Sequence, residues 1–427
     1  MAKKTIAKGI SKNLLFTNIG EVLTMAGVVL KSGRRPTESD LSSVTDAAMA
    51  VVNGKVMWVG PQKYFDRETK KEIFGRHTVR EVNLKGRTVL PGFVECHTHL
   101  LFAGDRREEF EWRNQGITYQ EISARGGGIR NTMKATRLAS AKTLLALGQT
   151  RTDRFVRQGV TTLEVKSGYG LDLESELKLL KVARSLSGPE IVSTFLGPHS
   201  LPPEFTSYDE YLDFVQHKIL PTVVKGKLAE RVDIFIERGF FTKAHAEKWF
   251  QAAQKLGLQV VAHTDQLSSG GGSVLAARHH ALSVDHAVHL QPEEIGQLAK
   301  SDTTAVLLPT SDFYLQEAYP QARKMIDSGV RVALATDFNP GTSPSQNLSL
   351  VGVLARIQMK MSLAEVLVAY TYNAAAALGR QSHLGHLSAG ACADFAVLSG
   401  SWRELFYEVG HHPINSVWRG GTPVAFS

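Results

Sequence analysis

Cysteine is scarce in this chain. Only two of its 427 residues are cysteines, Cys96 and Cys392. Two cysteines form at most one disulfide, so the sequence excludes a small fold that depends on a framework of disulfide bonds. This usage is typical of proteins from a reducing compartment, and we expect the protein to be cytoplasmic.

Long apolar runs are also missing. No segment approaches the roughly 18 consecutive apolar residues that indicate a membrane-spanning helix. The N-terminal segment 1–12, "MAKKTIAKGISK", is basic but lacks the apolar stretch of a signal peptide. We therefore expect no membrane partner.

Acidic charge is in deficit. The chain has 49 lysines and arginines against 41 aspartates and glutamates, a formal net charge of +8. A basic surplus can indicate nucleic-acid binding, but no basic run here is interleaved with aromatic residues. We interpret the surplus as solvated surface charge and expect no nucleic-acid partner, while an anionic small-molecule substrate is compatible with it.

Both ends of the chain carry short strand-like patterns. We predict a hairpin over 47–60, because Asn53-Gly54 suits a turn that needs positive φ. A strand, a turn and a strand are predicted over 13–25, a strand pair over 78–92, and a loose polar loop over 31–46. Because similar strands return at 385–399 and 417–426, we predict one small β-sandwich module built from residues 1–88 and 381–427.

The segment 89–380 has a different pattern. Apolar strand-like runs alternate with helical stretches such as 174–188 and 244–257. We count eight such runs, at 88–99, 159–168, 190–200, 231–239, 258–265, 281–289, 303–311 and 331–339. Apolar strands that alternate with helices indicate a parallel sheet covered on both faces. Eight units fit an α/β fold with a (β/α)8 TIM-like barrel.

Polar side chains end most of these apolar runs. They are His97, His99, Lys166, His199, Glu237, His263, His286 and Asp337. One histidine on a strand is usually a hydrogen-bonded core residue, but this many at matching strand ends is unusual. Barrel enzymes carry their chemistry at the carboxyl ends of the strands. The pattern therefore predicts an active site there.

The pair His97-Thr98-His99 is a candidate for metal binding. Strand side chains alternate between faces, so His97 and His99 point the same way, while Cys96 points toward the helix layer as a packing residue. His263 and Asp337 complete a set of three imidazoles and one carboxylate. Such a set suits Zn²⁺ or Fe²⁺.

These motifs resemble those of the metal-dependent amidohydrolase superfamily. The shared features are the H-x-H pair after "PGF", a histidine that ends the fifth strand and an aspartate that ends the eighth. The resemblance implies a metal-dependent hydrolase that is often a homodimer. It also implies one Zn²⁺ or Fe²⁺/Fe³⁺ ion per chain, because the fourth strand run, "RVDIFIERG", has no lysine that could bridge two ions.

Narrower motifs point to one branch of this superfamily. They are "HTHLLFAGDRREEF", "GITYQEISARGGGI", "GVTTLEVKSGYGLD", "HTDQ" and "ALATDFNPGT". Together they resemble enzymes that hydrolyse the cyclic amide of 4-imidazolone-5-propanoate to N-formimino-L-glutamate in histidine degradation. The implied catalytic residues are Asp337 as the proton acceptor, His286 beside the carbonyl oxygen, and Gln266, whose amide can hydrogen-bond the ring.

The carboxylate tail of such a substrate requires a cation. Arginine pairs with a carboxylate through two parallel hydrogen bonds, and Arg106 matches the arginine of the family motif. The alternative is a surface ion pair between Arg106 and Glu108 or Glu109. The other substrate-binding residues that the resemblance implies are Tyr119, Tyr169, His199, Gln266, Asn339, Gly341 and Thr342.

Three alternatives stay open at this point. Another superfamily member, such as an aminohydrolase of a heterocycle, would share the metal ligands. Gln266 disfavours it, because related deaminases use a glutamate there to carry protons. A non-enzymatic scaffold on the same fold would typically have lost a metal ligand, and none is missing here. The glycine-rich segment 125–129 is either a flexible lid or an ordinary turn.

Overall fold

The computed structural model describes residues 13–117, 121 and 127–425. The basic segment 1–12, Tyr119 and the first two residues of the glycine-rich segment lie outside the described residues. Within the described part of the chain, no helix has the length and apolarity needed to cross a bilayer.

The strands follow one another along the chain in the order of their numbers. They are β1 (Asn13–Leu23), β2 (Ser43–Val52), β3 (Lys55–Pro61), β4 (Arg80–Pro91), β5 (Phe93–Glu95), β6 (Val160–Lys166), β7 (Glu190–Phe195), β8 (Arg231–Val232), β9 (Phe235–Ile236), β10 (Gln259–Val260), β11 (Ala262–Thr264), β12 (Ser283–His286), β13 (Thr304–Leu307), β14 (Arg331–Leu334), β15 (Phe395–Leu398), β16 (Ile414–Arg419) and β17 (Thr422–Pro423).

Helices connect and cover these strands. The α-helices are Ala26–Leu30, Arg67–Phe74, Arg107–Asn114, Ile129–Leu138, Ala141–Val156, Leu173–Ala183, Tyr208–Phe214, Leu220–Lys225, Lys243–Lys255, Gly272–Arg278, Pro292–Leu298, Pro309–Leu315, Ala322–Ser328, Leu348–Ile357, Leu363–Tyr370 and Tyr372–Ala377. A π-helical turn covers Val215–Ile219, and 3₁₀ turns cover Glu38–Leu41, Gln62–Tyr64 and Trp402–Glu404.

Strands from both chain ends join in one module, as predicted, and they pair there in a seven-stranded mixed sheet. Its order is β17-β16-β15-β4-β1-β2-β3. Phe395 on β15 stacks on Trp418 of β16 with ring centroids 5.7 Å apart, and Phe16 of β1 meets both rings edge-on. Burial of such rings stabilises the sheet, because aromatic side chains remove large apolar areas from water.

The predicted hairpin is confirmed. Strands β2 and β3 pair in antiparallel fashion around Asn53 and Gly54, whose φ values are 50° and 78°. A two-residue turn with positive φ at both positions matches the twist of the flanking strands, which is why Asn-Gly is found there.

Two other predicted turns are wrong. Segments 13–25 and 78–92 each form one long strand, β1 and β4, rather than two strands around a turn. The residues typical of turns, Asn18, Lys85 and Gly86, have positive φ and lie where the register of the β1–β4 pairing shifts. A β-bulge and a turn use the same residue types, so local sequence does not separate them.

The prediction of a loose loop over 31–46 is also wrong. Asp40 is buried there and accepts a hydrogen bond of 2.7 Å from Nζ of Lys31. Arg34 donates to backbone carbonyls across the molecule, including that of Gly329 at 2.5 Å. Satisfied charges and carbonyls order this segment, and its last residues already belong to β2.

The eight predicted barrel strands are found in two five-stranded parallel sheets. Their orders are β10-β8-β7-β6-β5 and β14-β13-β12-β11-β9. The fourth strand position contributes β8 to one sheet and β9 to the other, and the break between them contains Asp233. A parallel bridge between Thr98 and Phe338 joins the first position to the eighth. The strands therefore form the predicted α/β barrel.

Cys96 occupies the helix-facing side of the first barrel strand. It is buried in an apolar cluster that includes Ala374 and Ala375 of the helix Tyr372–Ala377. The prediction of a packing residue is confirmed.

Candidate active site

The carboxyl ends of the barrel strands bring the predicted metal ligands together. His97 and His99 follow β5, His263 lies in β11, and Asp337 follows β14. Nε2 of His97 and Nε2 of His99 lie 3.4 Å and 3.5 Å from Oδ1 of Asp337. Nε2 of His263 is 3.3 Å from Nε2 of His99. All four side chains therefore direct ligand atoms into one small volume.

The chemistry of this cluster fits a metal ion. Nδ1 of His97 lies 2.6 Å from Oδ2 of Asp285, while its Nε2 is buried and has no hydrogen-bond partner among the described residues. Burial holds the pKa values of His97 and His99 well below their usual range, so both rings are neutral. Against the effect of burial, Asp233 raises the pKa of His263. The two neutral imidazoles and the carboxylate of Asp337, which face one another, are donors suited to a metal cation.

His286 ends β12 beside the same cluster. Its ring centroid lies 5.5 Å from that of His263, and burial holds its pKa well below the usual range. His286 and Asp337 both have positive φ, at 75° and 51°. Residues other than glycine adopt this conformation at a cost, and such strain concentrates at functional sites.

Two aspartates support the histidines from below, and the sequence patterns did not reveal them. Asp285 contacts Nδ1 of His97, and Oδ2 of Asp233 lies 3.0 Å from Nδ1 of His263. Although burial opposes ionisation, His263 and Lys166 hold the pKa of Asp233 well below its usual range. The available signal was a carboxylate inside an apolar strand run, which is costly unless it is paired.

Burial shifts the pKa values of Asp337 and His199 at the cluster in opposite directions. Burial raises the pKa of the Asp337 carboxyl to about 7, and a bound cation would lower it. Burial lowers the pKa of His199 to about 4. Nδ1 of His199 lies 2.8 Å from the carbonyl of Gly168, and its ring stacks on that of His99 with centroids 5.2 Å apart. His199 is therefore a fixed, neutral group.

A cavity of about 790 Å³ opens above these residues. Its walls include most of the residues predicted to contact metal or substrate, namely His99, Arg106, Tyr169, His199, His263, Gln266, His286, Asp337, Asn339 and Thr342. His97 lies behind this wall, and Tyr119 lies outside the described residues. The cavity joins the metal cluster to Arg106 within one space.

Arg106 is held in the wall of the cavity rather than at the outer surface. Its Nε donates to Oε2 of Glu109 at 2.7 Å, and both side chains are largely buried. The ion pair considered from sequence thus exists with Glu109, but within the described part of the chain it leaves both Nη groups available. Oε1 of Glu109 also accepts a hydrogen bond of 2.9 Å from the backbone of Gly128.

Gly341 provides the space for this arginine. A Cβ atom at Gly341 would lie 2.0 Å from Nη1 of Arg106. The carbonyl of Gly341 also accepts a hydrogen bond of 3.0 Å from Arg113, a second arginine in the cavity wall that sequence reasoning missed.

Asn339 organises the loop after Asp337. Its Oδ1 accepts hydrogen bonds from the backbone of Gly341 at 2.8 Å and of Thr342 at 2.7 Å. Its Nδ2 donates to the carbonyl of Asp337 at 2.7 Å. The amide of Asn339 therefore fixes the backbone on which Asp337, Gly341 and Thr342 are displayed.

Gln266 follows the strand of His263 and lines the cavity. The loop beyond it is held by Glu237, whose Oε2 accepts a hydrogen bond of 2.8 Å from the backbone of Leu267. Tyr169 lies on the opposite wall, with its ring centroid 5.7 Å from that of His99. Glu237 is thus a loop anchor, while Gln266 and Tyr169 face the space beside the cluster.

Comparison with known proteins agrees with this arrangement. The Amidohydrolase family matches residues 88–425, and the chain belongs to this family. The imidazolonepropionase of Bdellovibrio bacteriovorus is 54% identical over 411 residues, which cover 96% of each chain. The imidazolonepropionase of Bacillus velezensis is 39% identical over 416 residues, again 96% of each chain. Within the family the chain is placed among the imidazolonepropionases, as the narrower motifs indicated.

Solved structures support the fold. An adenosine deaminase from Xanthomonas campestris with bound zinc has a TM-score of 0.64 at 20% identity, covering 96% of this chain and 92% of that one. A triazine hydrolase from Arthrobacter aurescens has a TM-score of 0.65 at 16% identity, covering 97% of this chain and 94% of that one. At these identities the likeness concerns the fold alone.

Proposed function

We propose that the protein hydrolyses the cyclic amide of 4-imidazolone-5-propanoate to N-formimino-L-glutamate. The observation that carries this proposal is one cavity with a metal-binding cluster on one wall and the buried guanidinium of Arg106 on another. The ring amide is the bond to be broken, and the propanoate tail is the anion to be held. The names of the relatives agree with this reaction.

We propose that His97, His99, His263 and Asp337 hold a single metal ion. Such an ion supplies Lewis acidity and lowers the pKa of a coordinated water toward about 7. Asp337 is then placed to take a proton from the attacking water at a carboxylate oxygen and to pass it to the leaving ring nitrogen. This assignment is supported by the convergence of His97, His99 and Asp337, by the 3.3 Å between Nε2 of His263 and Nε2 of His99, and by the buried, unpartnered Nε2 of His97.

We assign the remaining catalytic contacts to His286 and Gln266. His286 is buried beside the cluster, where its ring can hydrogen-bond the carbonyl oxygen as negative charge develops. Gln266 carries no proton, but its amide can donate to and accept from the ring of the substrate. This chemistry favours amide hydrolysis over the deamination expected of an enzyme with glutamate at this position.

We assign the tail of the substrate to Arg106. Its two Nη groups can form parallel hydrogen bonds with the propanoate carboxylate, and Glu109 fixes the direction of the fork. Tyr169 and His199 line the same cavity beside His99 and would contact the ring. Tyr119, Asn339, Gly341 and Thr342 complete the proposed binding residues, as the family motif implies.

Turnover by purified, metal-loaded protein tests this function. We expect the ultraviolet absorbance of the imidazolone to decay and N-formimino-L-glutamate to appear in the mass spectrum, with both signals lost after chelation. If protein loaded with Zn²⁺ or with Fe²⁺ leaves the compound intact, the proposed reaction is wrong.

Three further assignments are proposed with it. The native metal is Zn²⁺ or Fe²⁺/Fe³⁺, to be identified by elemental analysis of protein purified without added metal. We also propose a homodimer, to be checked by light scattering, and a cytoplasmic location, to be checked by cell fractionation.

A further inference from the structure

Lys166 is an enclosed lysine beneath the metal cluster. It is the last residue of β6, and its side chain is only 1% exposed. Its Nζ lies 2.9 Å from Oε1 of Glu164, 2.8 Å from Oδ2 of Asp233 and 3.5 Å from Oδ2 of Asp285. No residue of the proposed mechanism accounts for an ammonium group at this depth, where an unpaired charge would be very costly.

The two aspartates connect Lys166 to the metal ligands. Oδ2 of Asp233 contacts both Nζ of Lys166 and Nδ1 of His263. Oδ2 of Asp285 likewise contacts both Nζ and Nδ1 of His97. One oxygen atom on each aspartate is thus shared between the lysine and a histidine.

The contacts of Lys166 also cross the barrel. Lys166 belongs to the sheet that contains β5 and β6, whereas Asp285 lies on β12 of the other five-stranded sheet. The ammonium therefore sits between Asp285 of the second sheet and Asp233, which lies in the break between β8 and β9.

We propose that Lys166 is a positioning residue that anchors Asp233 and Asp285 and, through them, aims Nε2 of His97 and His263 at the metal. This inference rests on the metal site of the proposed function. Carboxylates that accept from Nδ1 orient ligating imidazoles and increase their basicity, and loss of such a partner typically weakens metal binding about 10–100-fold. Without the ammonium, the carboxylates of Asp233 and Asp285 would lose the cation that they share and would repel each other, whereas Glu164 would keep Arg231, 3.7 Å away.

Metal affinity of a K166M variant provides the test. Methionine keeps much of the length of the side chain and removes the charge. We expect the dissociation constant for Zn²⁺, measured by competition with a chromogenic chelator, to rise about 10–100-fold. Lys178 supplies a matched control, because its Nζ donates to the carbonyls of Arg137 and Ala139 at the end of a helix. K178M is expected to bind Zn²⁺ like the unchanged protein.

If K166M does not fold, a variant in which the lost positive charge is balanced by a lost negative charge can be tested instead. E164Q/K166M removes one negative and one positive charge together, and E164Q alone is its reference. We expect E164Q to keep its Zn²⁺ affinity and E164Q/K166M to lose about 10–100-fold, with both folded by circular dichroism. Unchanged affinity in a folded K166M or E164Q/K166M would overturn the positioning role.

A double-mutant cycle separates positioning from a general loss of stability. Because Lys166 acts through both aspartates, K166M should weaken Zn²⁺ binding less in the D285N background, where only the Asp233 contact remains, than in the unchanged protein, whereas full additivity would contradict the inference. These measurements contain no substrate. Failure of the positioning role therefore leaves imidazolone turnover by the unchanged protein intact, and failure of the proposed reaction leaves Zn²⁺ affinity intact.

Discussion

The guanidinium of Arg106 occupies the space that a side chain at Gly341 would fill. A Cβ at Gly341 would lie 2.0 Å from Nη1, far inside van der Waals contact. An arginine tip could normally swing away from such a methyl group, but Nε of this one is tied to Glu109 at 2.7 Å. Gly341 and Glu109 therefore confine Arg106 from two sides.

The first prediction concerns G341A. The methyl group should displace Arg106 from the substrate carboxylate, so we expect KM for the imidazolone to rise at least about tenfold while kcat changes little. A hydrogen bond to a charged group contributes about 1.5–3 kcal/mol, which corresponds to at least a tenfold change. Steady-state kinetics provide the measurement. G296A is the control, since a Cβ at Gly296 has no neighbour within 4 Å. An unchanged KM in G341A would show that Arg106 is not confined in this way.

The second prediction concerns the arginine itself. R106K keeps the charge but loses the fork geometry, and R106M loses both. We expect KM to increase in the order unchanged protein, R106K, R106M, with the R106M value about 100-fold above the first. Cyclic amides without a carboxylate should be turned over equally by all three proteins. Equal sensitivity of such neutral compounds would contradict a role in holding the tail.

The third prediction distinguishes two adjacent glutamates. Glu109 is buried and bridges Arg106 to the backbone of Gly128, whereas Glu108 is exposed on the same helix. E109A should remove the hydrogen-bond acceptor that orients Nε of Arg106 and thereby raise KM about tenfold. It should also lower the melting temperature, because the Gly128 amide loses its acceptor. E108A should alter neither quantity, and a similar effect of both substitutions on KM would argue against the bridge.

The fourth prediction concerns pH and Asp312. Burial raises the pKa of this carboxyl from 3.8 to about 8, and its Oδ2 has no hydrogen-bond partner among the described residues. The folded state therefore keeps a proton that the unfolded state releases near pH 4. Its contribution to stability is fully present below about pH 4 and is lost as the pH rises through 8, with a slope of up to about 1.4 kcal/mol per pH unit.

D312N removes this linkage without changing the shape of the side chain. We expect its melting temperature to exceed that of the unchanged protein at pH 8 and to approach it at pH 4. Melting temperatures recorded across this range provide the check. Parallel profiles for the two proteins would mean that Asp312 titrates normally.

The sequence predicted the proposed metal ligands better than the aspartates that contact them from beneath. His97, His99, His263 and Asp337 could be grouped because parallel strands end at the same edge of a barrel, whatever their exact register. Whether Asp285 contacts His97 depends on how β12 of one sheet is aligned with β5 of the other. That alignment depends on packing across the barrel, so a linear pattern does not contain it.

The turn predictions failed for a related reason. Asn18 and Lys85-Gly86 have the positive φ values typical of turns, yet both lie within long paired strands. Whether such residues reverse the chain or form a bulge depends on the partner strand. The Asn53-Gly54 hairpin was predictable because its partner strands are adjacent in sequence.

The seven-stranded sheet imposes an order on biosynthesis. Strand β4 leaves the ribosome before the barrel, and its neighbour β15 follows about 300 residues later, with Pro91 opposite Phe395. The backbone N–H and C=O groups on one edge of β4 therefore stay unpaired while the whole barrel is translated. During this interval they are accessible to chaperones and to other nascent chains. The histidine pair begins shortly after β4 ends. The candidate metal site thus follows a strand whose final neighbour is made only after the whole barrel.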